Sequence, residues 1–208
     1  MKCLAWAVVS ATVILTAAEA VWGRQLCDQE WLKGQALPGV NGAVYALHVF
    51  DPDGDGLSTP RLAVGGSFDV AGGVRAYSLA LWNGATWESV GAGWNSNVLA
   101  LTSFSSDEGS GSPPVLVAGG AFTVFNAPGE TSRPMFRVAA RLSGAWQQLG
   151  AGLNNTVRAL IVFDPDGSGP ATPEVIAGGD FTSSGSVGWT SNSDLYRWEG
   201  PDFRRKLP

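Results

Sequence analysis

The sequence predicts an all-β chain made of about three repeats, each with four short antiparallel strands. The main observation is that residues 44–68 return in similar form as residues 97–122 and 156–181. Each copy passes from an apolar run through a Gly/Asp/Pro/Ser segment to a second apolar run ending in Gly-Gly-x-Phe, which is typical of a β-hairpin with a long polar tip. No window after the N-terminal segment has the apolar period of a helix.

The first repeat contains four strand candidates, which are residues 44–50, 61–65, 77–82 and 86–90. All are short and rich in Val, Leu, Ala, Trp and Phe, and Gly, Asn, Pro or Asp separates them. Tight turns between the third and fourth strands are predicted at Asn83-Gly84 and Ser143-Gly144, because Gly and Asn accept the positive φ that such turns require.

The repeat has a period of about 57 residues, read from the recurring tryptophans and Gly-Gly pairs. Four strands recurring at such an interval are typical of a blade of a β-propeller. The predicted units are about residues 31–86, 87–145 and 146–203, within a repeat domain that spans 21–208. Closed propellers have roughly four to eight blades. Three units therefore predict an open arc or a partial propeller.

Four segments of the first repeat support this prediction: AVYALHVFDPDG, VGGSFDVAGGV, SLALWNG and TWESVGAG. They resemble the kelch-like propeller repeats found in arrays in secreted bacterial proteins, whose pattern runs GGxF, AGG, IAxWDG and WxxLGxG. The resemblance covers about residues 31–181. It implies a propeller or an arc of propeller blades, and it implies no particular activity.

The repeated glycines and aromatic residues predict how neighbouring sheets pack. The paired glycines allow a backbone to pass close to a neighbour, or adopt conformations closed to other residues. Because the aromatic residues recur in the units, we expect them to fill the space between sheets rather than to line a sugar-binding surface. They are Phe68, Phe122, Phe181, Trp82, Trp87 and Trp146.

Residues 1–20 are predicted to be a signal peptide, because Lys2 precedes the apolar run 4–17 and a small-x-small cleavage site ends at Ala20. The apolar run is shorter than the roughly 20 residues that span a bilayer, which argues against a retained anchor. We therefore expect a secreted or periplasmic protein with no membrane span. Cys27 is then its single cysteine, either buried or paired with another chain, and no internal disulfide forms.

The charge distribution argues against several partners. The net charge is −5, and the only basic run is at residues 204–206. Nucleic acid and anionic membranes both require a concentrated basic patch, so neither is expected. An uncapped blade edge exposes strand hydrogen-bonding groups and apolar surface, so self-association is expected.

The first hairpin tip is the candidate metal site. Asp51, Asp53 and Asp55 occupy positions 1, 3 and 5 of a calcium loop, and Gly56 occupies position 6. Position 12 is Leu62, where an EF-hand has Glu. Asp, Gly and Pro are also common in any hairpin tip. Calcium is the one cofactor predicted, and an ordinary hairpin tip is the alternative.

The sequence favours a non-enzymatic role. The single histidine, His48, lies in a strand candidate, and a general base needs a positioned partner that no motif supplies. The sequence contains neither a nucleophile elbow nor a zinc-binding pattern. We predict a binding or structural module for an extracellular protein or glycan, with loops 127–134 and 183–193 as contacts. The alternative is part of a secreted propeller enzyme, carbohydrate-active or oxidase-like, whose active residues lie in other blades.

Overall fold

The computed structural model confirms the all-β class, since the residues that it describes form sixteen strands and no α-helix. The described residues are 39–54, 56–90, 93–104, 114–126, 132–142, 144–167, 173–184, 195–198 and 203–205, the last two ranges as backbone. All belong to one unit, Ala36–Pro208. The predicted signal peptide, Cys27 and Trp31 lie outside them.

In chain order the strands are β1 (Ala43–Phe50), β2 (Arg61–Ser67), β3 (Val70–Ala71), β4 (Val74–Arg75), β5 (Leu79–Trp82), β6 (Trp87–Ser89), β7 (Val98–Phe104), β8 (Val115–Gly120), β9 (Val124–Phe125), β10 (Arg133–Pro134), β11 (Val138–Leu142), β12 (Ala145–Gln148), β13 (Val157–Phe163), β14 (Glu174–Gly179), β15 (Leu195–Trp198) and β16 (Phe203–Arg205).

These strands form three antiparallel sheets of four strands each. Sheet 1 has the order β1-β2-β5-β6, sheet 2 the order β7-β8-β11-β12, and sheet 3 the order β13-β14-β15-β16. The two-stranded ribbons β3/β4 and β9/β10 lie in the connections between the second and third strands of sheets 1 and 2. The prediction of four antiparallel strands in each repeat is therefore confirmed for three repeats.

The tight turns form as the sequence predicts. Gly84 and Gly144 have φ of +96° and +83°, a region that glycine enters without steric cost. In the first turn, the Asn83 Oδ1 accepts hydrogen bonds from the backbone N–H groups of Ala85 and Thr86. The third predicted strand is two residues shorter than expected, because Tyr77 and Ser78 have positive φ.

The second glycine of each Gly-Gly pair lies opposite a β-bulge in the first strand of its own sheet. A Cβ added to Gly66, Gly120 or Gly179 would lie 2.0–2.1 Å from the backbone oxygen of the first residue of that strand or of the residue just before it. The first strand changes register at the same place in all three sheets. None of these glycines has positive φ, so they are not required for an unusual backbone conformation. They are required because the neighbouring backbone comes too close to leave room for a side chain.

The first glycine of the pair receives a side chain from the next sheet. A Cβ on Gly65 would lie 2.7 Å from Val98 Cγ1 of sheet 2. A Cβ on Gly119 would lie 2.6 Å from Val157 Cγ1 of sheet 3. Absence of a side chain at these positions therefore lets successive sheets pack closely.

The core lies between successive sheets. Phe122 is fully buried between sheets 1 and 2, and Phe181 is fully buried between sheets 2 and 3. Trp146 is also buried, and its Nε1–H donates to the Val90 carbonyl at 2.8 Å. These three residues confirm the predicted packing role.

The remaining aromatic residues of the first repeat pack elsewhere. Phe68 is buried in a smaller cluster on the face of sheet 1 that points away from sheet 2. Trp82 and Trp87 are half-buried, with ring centroids 5.3 Å apart. Trp82 pairs with Leu62, so these tryptophans also lie on that face and do not fill the contact between sheets 1 and 2.

In the part of the chain that the structure describes, no helical segment is long and apolar enough to cross a membrane.

Candidate interaction surface

The end of each sheet where the second strand passes to the third is called here the connection end, and the opposite end, which holds the long hairpin, is the tip end. The connections are residues 68–78, 121–137 and 180–194 in sheets 1, 2 and 3. They differ in length and sequence, although the strands on either side keep the repeat pattern.

An asparagine just before the first strand positions the connection of each sheet. The Asn41 Oδ1 accepts hydrogen bonds from the N–H groups of Asp69 and Val70, both at 2.9 Å. Asn95 and Asn154 make the same pair of bonds in sheets 2 and 3. The preceding residues form isolated bridges to the same connections. Sequence analysis missed these asparagines, although an Asn at the same place in each repeat was a visible signal.

The first connection holds an open cavity of about 360 Å³. Its lining consists of Asn41, Asp69, Val70, Arg75 and Tyr77. The Arg75 Nη1 donates to the Tyr77 hydroxyl at 2.9 Å. This hydrogen bond raises the pKa of Arg75, and nearby Asp69 adds to the effect. The cavity therefore presents a fixed cation beside a phenol, a carboxylate and an amide.

Tyr77 has a strained backbone at this cavity. Its φ is +42° and that of Ser78 is +73°, a region that costs non-glycine residues about 1–3 kcal/mol. The positive φ of Ser78 recurs in the second repeat, where Arg137 has φ of +68°. The two residues also make equivalent hydrogen bonds, because the Ser78 carbonyl accepts from the Gly66 N–H and the Arg137 carbonyl accepts from the Gly120 N–H. Phe136, which precedes Arg137, has no positive φ. The strain at Tyr77 is therefore absent from the equivalent described position of the second connection, which points to a role at the cavity.

The predicted metal ligands at the tip end organise their own loop. The Asp51 Oδ1 accepts from the Asp53 N–H at 3.3 Å, and the Asp53 Oδ2 accepts from the Ser58 N–H at 2.9 Å. The bond from Ser58 lowers the pKa of Asp53. Asp55 lies outside the described residues. No group of three or more His, Cys, Asp or Glu that could hold a metal ion occurs among the described residues. Calcium binding by Asp51, Asp53 and Asp55 stays a prediction.

His48 lies at the contact between sheets 1 and 2. Its Nε2 is 2.8 Å from the Ser103 Oγ, and the pair is partly buried. Desolvation lowers the pKa of His48, so the neutral imidazole is favoured. This position fits a role in joining two sheets.

The two loops predicted to contact a partner are described only in part. Residues 127–131 and 185–194 lie outside the described residues. Arg133–Pro134 form the exposed strand β10, which pairs with β9. Ser184 bridges Leu153.

No protein-family model, curated protein or solved structure matches this chain. The fold and the surface together define an all-β repeat protein with an open cavity at its first connection that is lined in part by polar side chains.

Proposed function

We propose that this chain is a secreted, kelch-like propeller module that acts in binding rather than catalysis, with the connection end of sheet 1 as its ligand surface. The observation that carries the proposal is a cavity of about 360 Å³, lined by polar side chains and Val70, on loops supported by a repeated sheet scaffold. Binding residues are commonly placed on loops held by rigid sheets.

The order of the sheets supports the propeller arrangement. The first strands of successive sheets are adjacent, since β1 packs beside β7 and β7 packs beside β13. In propellers, successive four-stranded sheets are arranged around an axis. The repeated close contacts at Gly65 and Gly119 indicate that one packing geometry is used twice.

The cavity chemistry indicates the class of ligand. The Arg75 guanidinium can pair with a carboxylate in two-pronged geometry. The Tyr77 hydroxyl and the Asn41 amide can exchange hydrogen bonds with hydroxyl groups, and the Tyr77 ring offers an apolar face. An acidic oligosaccharide has both kinds of group, so it is the ligand class we propose.

The test is isothermal titration calorimetry with a galacturonic acid hexasaccharide and, as a neutral comparison, a glucose hexasaccharide. We expect tighter binding of the acidic probe to the secreted chain, with at least a tenfold loss in Arg75→Ala, since a charged hydrogen bond contributes about 1.5–3 kcal/mol. The matched control is Arg158→Ala, which removes an exposed arginine that pairs with Asp180 on sheet 3.

Equal binding of the acidic probe by the wild type and Arg75→Ala would show that the cavity is not the site, and no binding of either probe would refute the glycan proposal. Release of reducing ends from either hexasaccharide would instead favour the alternative, a secreted carbohydrate-active enzyme.

A further inference from the structure

Each end sheet leaves one apolar face exposed. The face of sheet 1 that points away from sheet 2, here called the front face, includes Val44, Leu47 and Val49, and the last two are 63% and 68% exposed. The face of sheet 3 that points away from sheet 2, here called the back face, includes Ile161 and Phe163, which are 62% and 43% exposed. Contiguous exposed apolar side chains of this kind mark interaction surfaces.

These two faces correspond to the two halves of a contact that the chain already makes twice. Sheet 1 packs its back side, with Phe50 and Gly65, against Val98 and Leu101 of sheet 2. Sheet 2 packs its own back side, with Gly119, against the front side of sheet 3 in the same way. The front face of sheet 1 and the back face of sheet 3 are the two surfaces left over from this series.

The back face of sheet 3 also has a glycine at the position where Gly65 and Gly119 leave space for a valine of the next sheet, and this space is called the glycine recess. This glycine is Gly178, the first of the third pair. It is half-buried, whereas Gly65 and Gly119 are buried. Val44 pairs with Gly66 in the register in which Val98 pairs with Gly120, so it is the residue of sheet 1 that corresponds to Val98. A front face of sheet 1 placed on sheet 3 would therefore insert Val44 at Gly178.

The polarity of the two faces also matches. In the contact between sheets 1 and 2, His48 and Ser103 form a polar pair with 2.8 Å between Nε2 and Oγ. By strand register, Ile161 of sheet 3 corresponds to His48 of sheet 1, and Val49 of sheet 1 corresponds to Ser103 of sheet 2. In a contact between the back face of sheet 3 and the front face of sheet 1, Ile161 and Val49 would therefore take the places of His48 and Ser103. Both replacements are apolar, so Ile161 and Val49 would pair without burying an unpaired polar group.

We propose that the back face of sheet 3 binds the front face of sheet 1 of a second copy of this chain, and that two copies close a ring of six sheets. The contact is head-to-tail, so it must close or grow into an open filament. Six sheets lie within the range of closed propellers. Ring closure rests on the propeller arrangement proposed above, and the contact itself is independent of the ligand cavity.

The experiment measures the solution mass of the secreted chain by size-exclusion chromatography with light scattering over a concentration series. We expect a dimer for the wild type and a monomer for both Ile161→Glu and Val49→Lys, because each places a charge in an apolar contact. The control is Leu57→Glu, which changes a fully exposed apolar residue of the tip loop and should stay dimeric. Circular dichroism and melting temperature check that all variants fold.

A mixture of the two charged variants gives the sharper result. In a mixed dimer, one contact joins the unchanged faces of the two variants, and the other places the Glu at position 161 of one copy opposite the Lys at position 49 of its partner. We therefore expect the mixture to recover dimers that neither variant forms alone. A monomeric wild type would refute the proposal, whether another segment covers the faces or none does. A dimer that survives Ile161→Glu or Val49→Lys would refute the assigned faces, and so would a mixture that stays monomeric. A wild-type series of masses above the dimer would refute ring closure.

Discussion

Sheet 2 and the two end sheets are built from the same repeat, but they differ in which side chains are covered. Leu101 in sheet 2 is 8% exposed, whereas Leu47 at the corresponding position of sheet 1 is 63% exposed. Both strands carry the apolar residues of a covered strand. The difference shows that in a repeat the neighbouring sheet decides burial, while the strand sequence supplies both faces in every copy.

The largest effect on stability is expected at Leu101, the covered position in the contact between sheets 1 and 2. Leu101→Ala should lower the free energy of unfolding by about 2–5 kcal/mol, because it leaves a cavity between sheets 1 and 2. Leu47→Ala should change it by about 0.5 kcal/mol or less. Urea unfolding of both variants in the Ile161→Glu background, which keeps the chain monomeric, measures the difference. Equal losses would show that sheet 1 is covered on both faces.

A second comparison adds side chains at the recess glycines. Gly119→Val should destabilise by about 1–3 kcal/mol, since its Cβ would lie 2.6 Å from Val157 Cγ1. Gly178→Val should have little effect on the unfolding of the monomer, because Gly178 is only half-buried and, among the described residues, no sheet follows sheet 3. The same variant should abolish the dimer in light scattering. Similar destabilisation by both variants would contradict the difference between the recesses.

A smaller effect is expected at the repeated tryptophan. Trp146→Phe removes the Nε1–H that donates to the Val90 carbonyl across sheets 1 and 2, and should cost about 1–2 kcal/mol. Trp87→Phe, at the half-buried equivalent in sheet 1, is the matched control and should cost less. The chemical denaturation midpoints of the two variants are compared in the monomeric Ile161→Glu background, and a larger loss for Trp87→Phe would contradict the assignment.

The smallest effect is a pH dependence at the contact between sheets 1 and 2. Burial lowers the pKa of His48, so the unfolded chain binds more protons as the pH falls. The contribution of His48 to stability is therefore complete above about pH 6.5 and is lost as the pH falls through the lower pKa of the folded state. His48→Thr, which copies Thr102 of sheet 2, should reduce the difference in unfolding midpoint between about pH 8 and about pH 5. An unchanged difference would exclude His48 as its source.

The sequence predicts much of the fold because its signals are local. Apolar runs, the turn at Gly84 and the Gly-Gly pairs each act within a hairpin or between adjacent sheets, and all three appear as expected. The positive φ of Tyr77 and Ser78 was missed, since neither residue type requires it.

The candidate surface is less predictable, because it joins residues far apart in the chain. The Asn41 carboxamide and Asp69 meet only when the sheet is formed, 28 positions apart in the sequence. The carboxylates of Asp51 and Asp53 have the spacing of calcium ligands, but the same groups also accept hydrogen bonds from their own loop. Spacing alone could not separate these roles.

The asparagines that precede β1, β7 and β13 mark where one repeat can be separated from the next. Asn95 follows sheet 1 in the chain, but among the described residues its side chain bonds to sheet 2: its Oδ1 accepts from the N–H groups of Thr123 and Val124, and its Nδ2 donates to the Thr123 hydroxyl. A cassette that begins at the glycine two residues before each asparagine, Gly39, Gly93 or Gly152, would therefore carry a whole sheet together with the bridge and the hydrogen bonds that hold its connection. Gene duplication or deliberate engineering at these boundaries could add or remove one sheet without splitting another.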